Sequence, residues 1–93
     1  MLIFKNIALY YNKEKPHNRA AAELAGKFLE TIGARAVVYD DSQAEKITSE
    51  NTDLMISVGG DGTVLMAGRA AVNKKIKLFG LNAGNLGFLT GAD

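Results

Sequence analysis

Four short apolar runs mark the chain, and the segments between them are polar or carry apolar residues at helical spacing. Ile7-Ala-Leu-Tyr-Tyr11 is continuous rather than alternating, as expected of a strand covered on both faces. Asn12 to Lys15 is polar, Pro16 suits a first helical turn, and Asn18 is a candidate cap for a slightly later start. Ala21, Leu24, Ala25, Phe28, Leu29 and Ile32 then recur with helical periodicity, which predicts one apolar stripe on a helix closed by Gly33. Ala36-Val-Val-Tyr39 predicts a second strand ending at Asp40 and Asp41. Ser42 and Glu45 stand at capping-box spacing, so a short polar helix is expected next. Leu54-Met-Ile-Ser-Val58 predicts a third strand that runs straight into glycines. Alanines and apolar residues from Thr63 to Asn73 predict a helix with Thr63 near its N-cap, and Ile76-Lys-Leu-Phe-Gly-Leu81 predicts a fourth strand.

Strands alternating with helices at this spacing imply βαβ units. The expected fold is α/β, a Rossmann-like or flavodoxin-like parallel sheet with helices on both faces. Right-handed crossovers and short connections favour the strand order 2-1-3-4. In that order the sheet reverses direction between strands one and three, and ligands bind beyond the carboxyl ends of the strands at such a point. The stretch Gly59-Gly-Asp-Gly-Thr63 leaves strand three there, and a second glycine-rich stretch, residues 82–90, leaves strand four beside it.

Composition narrows the partners. A chain of 93 residues is one domain or part of one, and 47% hydrophobic content is enough for a core. A net charge of +1 with 23% charged residues gives no electrostatic footprint for nucleic acid and no basic tract for an anionic membrane. The absence of cysteine excludes disulfides and thiolate metal sites, and fits a reducing, cytoplasmic setting. The opening Met1-Leu-Ile-Phe4 is too short for a signal peptide, and no apolar run approaches a membrane span.

The glycine loop carries the candidate chemistry. Gly59 and Gly60 tolerate positive φ, so successive backbone N–H groups can point into one concavity, and the following helix adds its N-terminal partial charge. That is a site for phosphate oxygens. Asp61 is out of place beside phosphates unless it holds Mg²⁺ or takes a proton from an attacking hydroxyl, so the loop points to phosphoryl transfer. Thr63 either adds its hydroxyl to the cluster or caps the helix. The residues alone also leave open an ordinary glycine turn with an incidental aspartate. No Walker-type G-x-x-x-x-G-K-[ST] is present. The dinucleotide fingerprint fails because Leu65 stands where its third glycine belongs, and Asp40 and Asp41 precede the loop. His17, the three tyrosines and the methionines are read as surface or core residues, and Lys74, Lys75 and Lys77 as a solvated turn and strand edge.

Together, GGDGT at 59–63 and N-x-G-x-L-G-F-L-T at 82–90 resemble the NAD kinase family. The likeness covers the whole chain in order and spacing and is specific in those two motifs. GGDGT alone also resembles diacylglycerol and sphingosine kinases. Those are expected to show a P-x-G-T-x-N-D-F type sequence where this chain reads Leu81-Asn-Ala-Gly-Asn-Leu-Gly-Phe88. A receiver-like module, the other rival, needs an acidic pair after the first strand, where Tyr10-Tyr11-Asn12 stands.

The resemblance implies transfer of a phosphoryl group from ATP, or polyphosphate in some members, to the adenosine-ribose 2′-hydroxyl of NAD, with Mg²⁺ or another divalent cation. It places Gly59, Gly60, Gly62 and Thr63 at phosphate and ribose, and makes Asp61 the catalytic carboxylate and a possible metal ligand. Asn82, Gly84, Gly87 and Phe88 would form the NAD-binding wall. It further implies a homo-oligomeric full-length protein with a β-rich second domain. Residues 1–93 are accordingly expected to be the N-terminal α/β nucleotide-binding part, inactive on their own.

Overall fold

The computed structural model describes residues 4–59, 67–69, 71, 74 and 76–81. Strands β1 (Asn6–Tyr11), β2 (Arg35–Asp40), β3 (Leu54–Val58) and β4 (Lys77–Leu81) form one sheet in the order β2-β1-β3-β4. All three pairings are parallel, with Leu9 beside Val38 on one side and Ile56 on the other, and Ile56 beside Phe79. The expected topology is therefore the observed one. Strand ends differ from the sequence reading by a residue: β1 takes in Asn6, β2 takes in Arg35 and Asp40, and β4 begins at Lys77.

The continuous apolar run of β1 is explained by its central place. Ile7 to Tyr11 are all buried, because alternate residues enter two different cores. Leu9, Tyr11 and Val58 pack with Ala22 under helix α1 (His17–Thr31), joined by Ala25, Leu29, Ala36 and Val38. On the other face Ala8, Tyr10 and Met55 pack with Ile47, Ala67 and Ile76. Residues 67–69 and 71 are helical, as expected of the segment after the glycine loop; the rest of that predicted helix lies outside the described residues. The opposite ends of the strands are held by Asp53, whose Oδ2 accepts from the backbone N–H of Lys5 at 3.0 Å and of Asn6 at 2.9 Å.

Helix α1 corrects half of the predicted stripe: Ala21, Ala25 and Leu29 pack against the core as expected, and the other three do not. Its buried residues are Asn18, Ala22 and Gly26, whereas Leu24, Phe28 and Ile32 are 67%, 63% and 47% exposed. Small residues win the inner face because they let the helix axis approach the sheet: a Cβ on Gly26 would lie 3.2 Å from Leu9 Cδ1. At ~100° per residue Leu24 and Phe28 fall on the side of the helix turned away from the buried Ala22, while Glu23, Lys27 and Glu30 stand over Ala36 and Val38 of β2.

The helix starts after Pro16, with φ −62° and no side-chain cap; Asn18 is buried inside the first turn instead of capping it. It ends where predicted, with Gly33 at φ 97° donating its N–H to Glu30 O.

The second cap is also corrected. The helix after β2 is a 3₁₀ helix, Asp41–Lys46, and its N-cap is Asp40 rather than Ser42. Asp40 Oδ1 accepts from Ser42 N at 2.8 Å while Gln43 Oε1 accepts from Asp40 N at 3.0 Å. An aspartate at the last position of a strand already has the extended backbone a cap needs, here ψ 175°, so it displaces the serine two residues on.

Candidate functional site

The carboxyl ends of β1, β3 and β4 lie side by side, and Gly59 is the one predicted site residue among the described ones. It is buried with φ 147°, a conformation open to glycine and strained for other residues. Its N–H donates to Leu81 O at 3.0 Å, extending the β3–β4 ladder by one bond beyond Val58 and Leu81. The first residue of the glycine loop is thereby bonded to the residue preceding Asn82 in sequence. Two motifs more than 20 positions apart thus begin on adjacent strand ends. Gly60, Asp61, Gly62, Thr63, Asn82, Gly84, Gly87 and Phe88 lie outside the described residues.

Beneath this edge, Ser57 is fully buried and its Oγ has no hydrogen-bond partner among the described residues. Leaving a buried hydroxyl unpaired costs about 1–3 kcal/mol. It stands two residues before Gly59, between Tyr10 and Gly80 in register.

The β1–α1 connection borders the same edge. Lys13 N donates to Asp41 Oδ1 at 2.7 Å, and Glu14 N to Asn12 Oδ1 at 2.9 Å, so the loop is fastened to the start of the 3₁₀ helix. Beyond the ends of β1 and β2 opens a cavity of about 310 Å³ lined by Tyr11, Arg19, Glu23, Val38, Asp40 and Gln43. Within it Arg19 Nε donates to Glu23 Oε2 at 3.1 Å. The Ser42 hydroxyl, as the largest cause, holds the Asp40 carboxyl below its ordinary pKa, with Ser42 N, Lys13 and Arg19 adding to it. Tyr10 is pushed upward, first by burial and then by the nearby carboxylates of Asp41 and Asp40. Motif spacing does not reveal this cavity, because Asp40 fits no dinucleotide fingerprint. The signal was there: an acid on the last residue of a strand, at the sheet edge where ligands bind.

Among the described residues no three His, Asp or Glu side chains gather as a metal cage. Asp40 and Asp41 are occupied by the cap and by Lys13 N. Among the same residues no helix is long and apolar enough to cross a membrane.

Comparison with known proteins gives the family. The model of the ATP-NAD kinase N-terminal domain matches residues 4–93. A protein named NAD kinase from Dehalococcoides mccartyi strain CBDB1 is 36% identical over 93 residues, covering 95% of this chain and 32% of the relative. One from Solibacter usitatus is 34% identical over 88 residues, covering 82% of this chain and 31% of the relative. One from Saccharophagus degradans reaches 46% over 59 residues, covering 59% of this chain and 20% of the relative. The chain thus spans about a third of the length of the first two. No solved structure matches it.

Proposed function

The chain belongs to the ATP-NAD kinase family through its N-terminal domain, and from that premise we propose that it supplies the phosphate-handling half of an enzyme that phosphorylates NAD. The observation that carries the reading is the Gly59 N–H to Leu81 O bond, which sets the starts of the two motifs side by side at the strand ends. The acceptor is the 2′-hydroxyl of the adenosine ribose, and the donor is ATP or polyphosphate.

In the proposed reaction the 2′-oxygen forms a bond to the terminal phosphorus, and the bond from that phosphorus to the bridging oxygen breaks. ADP, or a shortened polyphosphate, departs with that oxygen. The proton leaves the ribose hydroxyl for the Asp61 carboxylate, which orients the nucleophile and prevents charge from building on it. Gly59, Gly60 and Gly62 present backbone N–H groups to phosphate without a Cβ in the way, and Thr63 adds its hydroxyl. Asn82, Gly84, Gly87 and Phe88 form the wall against which NAD lies.

A magnesium ion is ordinarily held by one or two carboxylates together with substrate phosphates, not by an all-protein cage. Asp61 would be the protein carboxylate that holds such an ion beside the phosphates. When bound, the ion neutralises charge on the phosphoryl oxygens.

The test is to incubate the full-length protein with NAD and either ATP or polyphosphate, and to read product with an NADP-specific dehydrogenase. NADP is expected. Phosphorylation of diacylglycerol or sphingosine in place of NAD would overturn the reading.

A further inference from the structure

The cavity beyond β1 and β2 has a composition that the reaction above does not use. We infer that it takes the nucleoside of a nucleoside-triphosphate donor, so that the donor lies across the sheet edge with its phosphates toward Gly59. This inference rests on the reading of the chain as a phosphotransferase.

Three observations support it. The first is place. Tyr11 and Asp40 are the last residues of β1 and β2, so the cavity opens at the carboxyl edge of the sheet, next to the reversal between β1 and β3. From the end of β2 to the end of β3 is two strand spacings, about 10 Å. That span suits a phosphate chain joining two sites, and Lys13, fastened to Asp41 at 2.7 Å, stands on the loop that leaves the strand between them.

The second observation is charge. Asp40 and Glu23 both line the cavity, and two carboxylates repel a phosphate. They suit an uncharged group rich in hydroxyls. The Asp40 carboxylate accepts from Ser42 N, Ser42 Oγ and Gln43 N, and a carboxylate has about four acceptor positions, which leaves capacity for one ribose hydroxyl. Gln43 spends its Oε1 on Asp40 N, which leaves its amide N–H₂ to donate to an acceptor on a base.

The third is the Arg19 guanidinium. Its partner Glu23 is an exposed i,i+4 neighbour, with side chains 64% and 50% exposed, and solvent screens such a pair. The planar cation can turn over a flat aromatic ring at small cost, with half-buried Val38 as the apolar floor opposite.

The test is calorimetric, on full-length protein, with ATP, inorganic tripolyphosphate and NAD as separate ligands. Arg19 is exposed, so its replacement leaves the core intact. Arg19→Ala is expected to weaken ATP about 2- to 30-fold, the range of a cation on an aromatic face, and to leave tripolyphosphate and NAD unchanged. Arg19→Lys should recover only part of the loss, since it keeps the charge and not the plane. Equal weakening of ATP and tripolyphosphate, or full recovery by lysine, would put Arg19 on the phosphates and overturn the inference. Unchanged ATP affinity, or a wild-type protein that binds tripolyphosphate and not ATP, would overturn it too. The two levels separate cleanly: NADP formation with unaltered ATP affinity sinks the nucleoside cavity alone. Selective loss of ATP binding without any NADP formation sinks the reaction alone.

Discussion

Gly26 tests how closely α1 is seated on the sheet, and with it the position of Arg19 over β2. In an exposed helix interior, glycine to alanine gains about 0.8–1.0 kcal/mol. Here the new Cβ would stand 3.2 Å from Leu9 Cδ1, with Ala36 Cβ at 3.7 Å and Val38 Cγ2 at 4.0 Å behind it. Comfortable carbon contacts are about 3.5–4.0 Å, so Leu9 must give by a few tenths of an ångström. Leu9 is fully buried on a central strand and has little room to do so. Overpacking by one methyl costs about 1 kcal/mol, the low end of the usual range, so Gly26→Ala should be nearly neutral. Gly26→Val adds two more methyls to the same space and should cost about 3 kcal/mol. The assay is urea unfolding followed by circular dichroism, comparing midpoints of the two variants with wild type. A full gain from alanine with valine tolerated would refute the close seating of α1.

Ser57→Ala removes a buried hydroxyl that has no partner among the described residues, so stability should hold or rise, by up to about 1–3 kcal/mol; a clear fall in the melting midpoint would mean that Oγ is paired after all. For Asp53, hydrogen bonds from Asn6 N and then Lys5 N hold the carboxyl below its ordinary pKa. Its contribution to stability is therefore full above about pH 4, near the unfolded value, and is lost as pH falls through the depressed folded value. Wild type and Asp53→Asn should thus differ in stability at neutral pH and converge in acid, and a pH-independent gap in their melting curves would contradict this. Leu24 and Phe28, exposed on one flank of α1, should drive self-association of the isolated 93-residue chain. Sedimentation should show Leu24→Lys with Phe28→Glu shifting it toward monomer, and an unshifted distribution would rule that flank out.

The sheet was legible because its strands announce themselves in two ways. The run 7–11 is apolar throughout, as a doubly covered strand must be, and the spacing of the other runs leaves room for crossovers on both sides. Periodicity placed Ala21, Ala25 and Leu29 of α1 on the core but misplaced Leu24, Phe28 and Ile32, because it counts large apolar residues while the sheet selects for closeness and so buries Ala22 and Gly26. The 3₁₀ cap was misassigned for a related reason. Ser42 and Glu45 satisfy a spacing rule, but Asp40 is held in the extended geometry by the strand itself. At the site, the sequence singled out Gly59 and the structure supports the need for glycine there, through its positive φ. The cavity between α1 and β2 was invisible to motif reading because Arg19, Asp40 and Gln43 converge only through the β2–β1 pairing and the crossover helix.

The central claim is that the carboxylate in the glycine loop takes the proton during phosphoryl transfer to NAD, and Asp61→Asn in the full-length protein tests it most directly. The change keeps shape and an accepting oxygen while removing charge and basicity. Steady-state kinetics across a magnesium series should show turnover lower by roughly 10²–10⁴-fold, the usual range for losing a general base, with the apparent affinities for NAD and ATP little altered. Near-normal turnover would make the carboxylate incidental, and full restoration of turnover by high magnesium would show that it acts through the metal alone and takes no proton; either result contradicts the account.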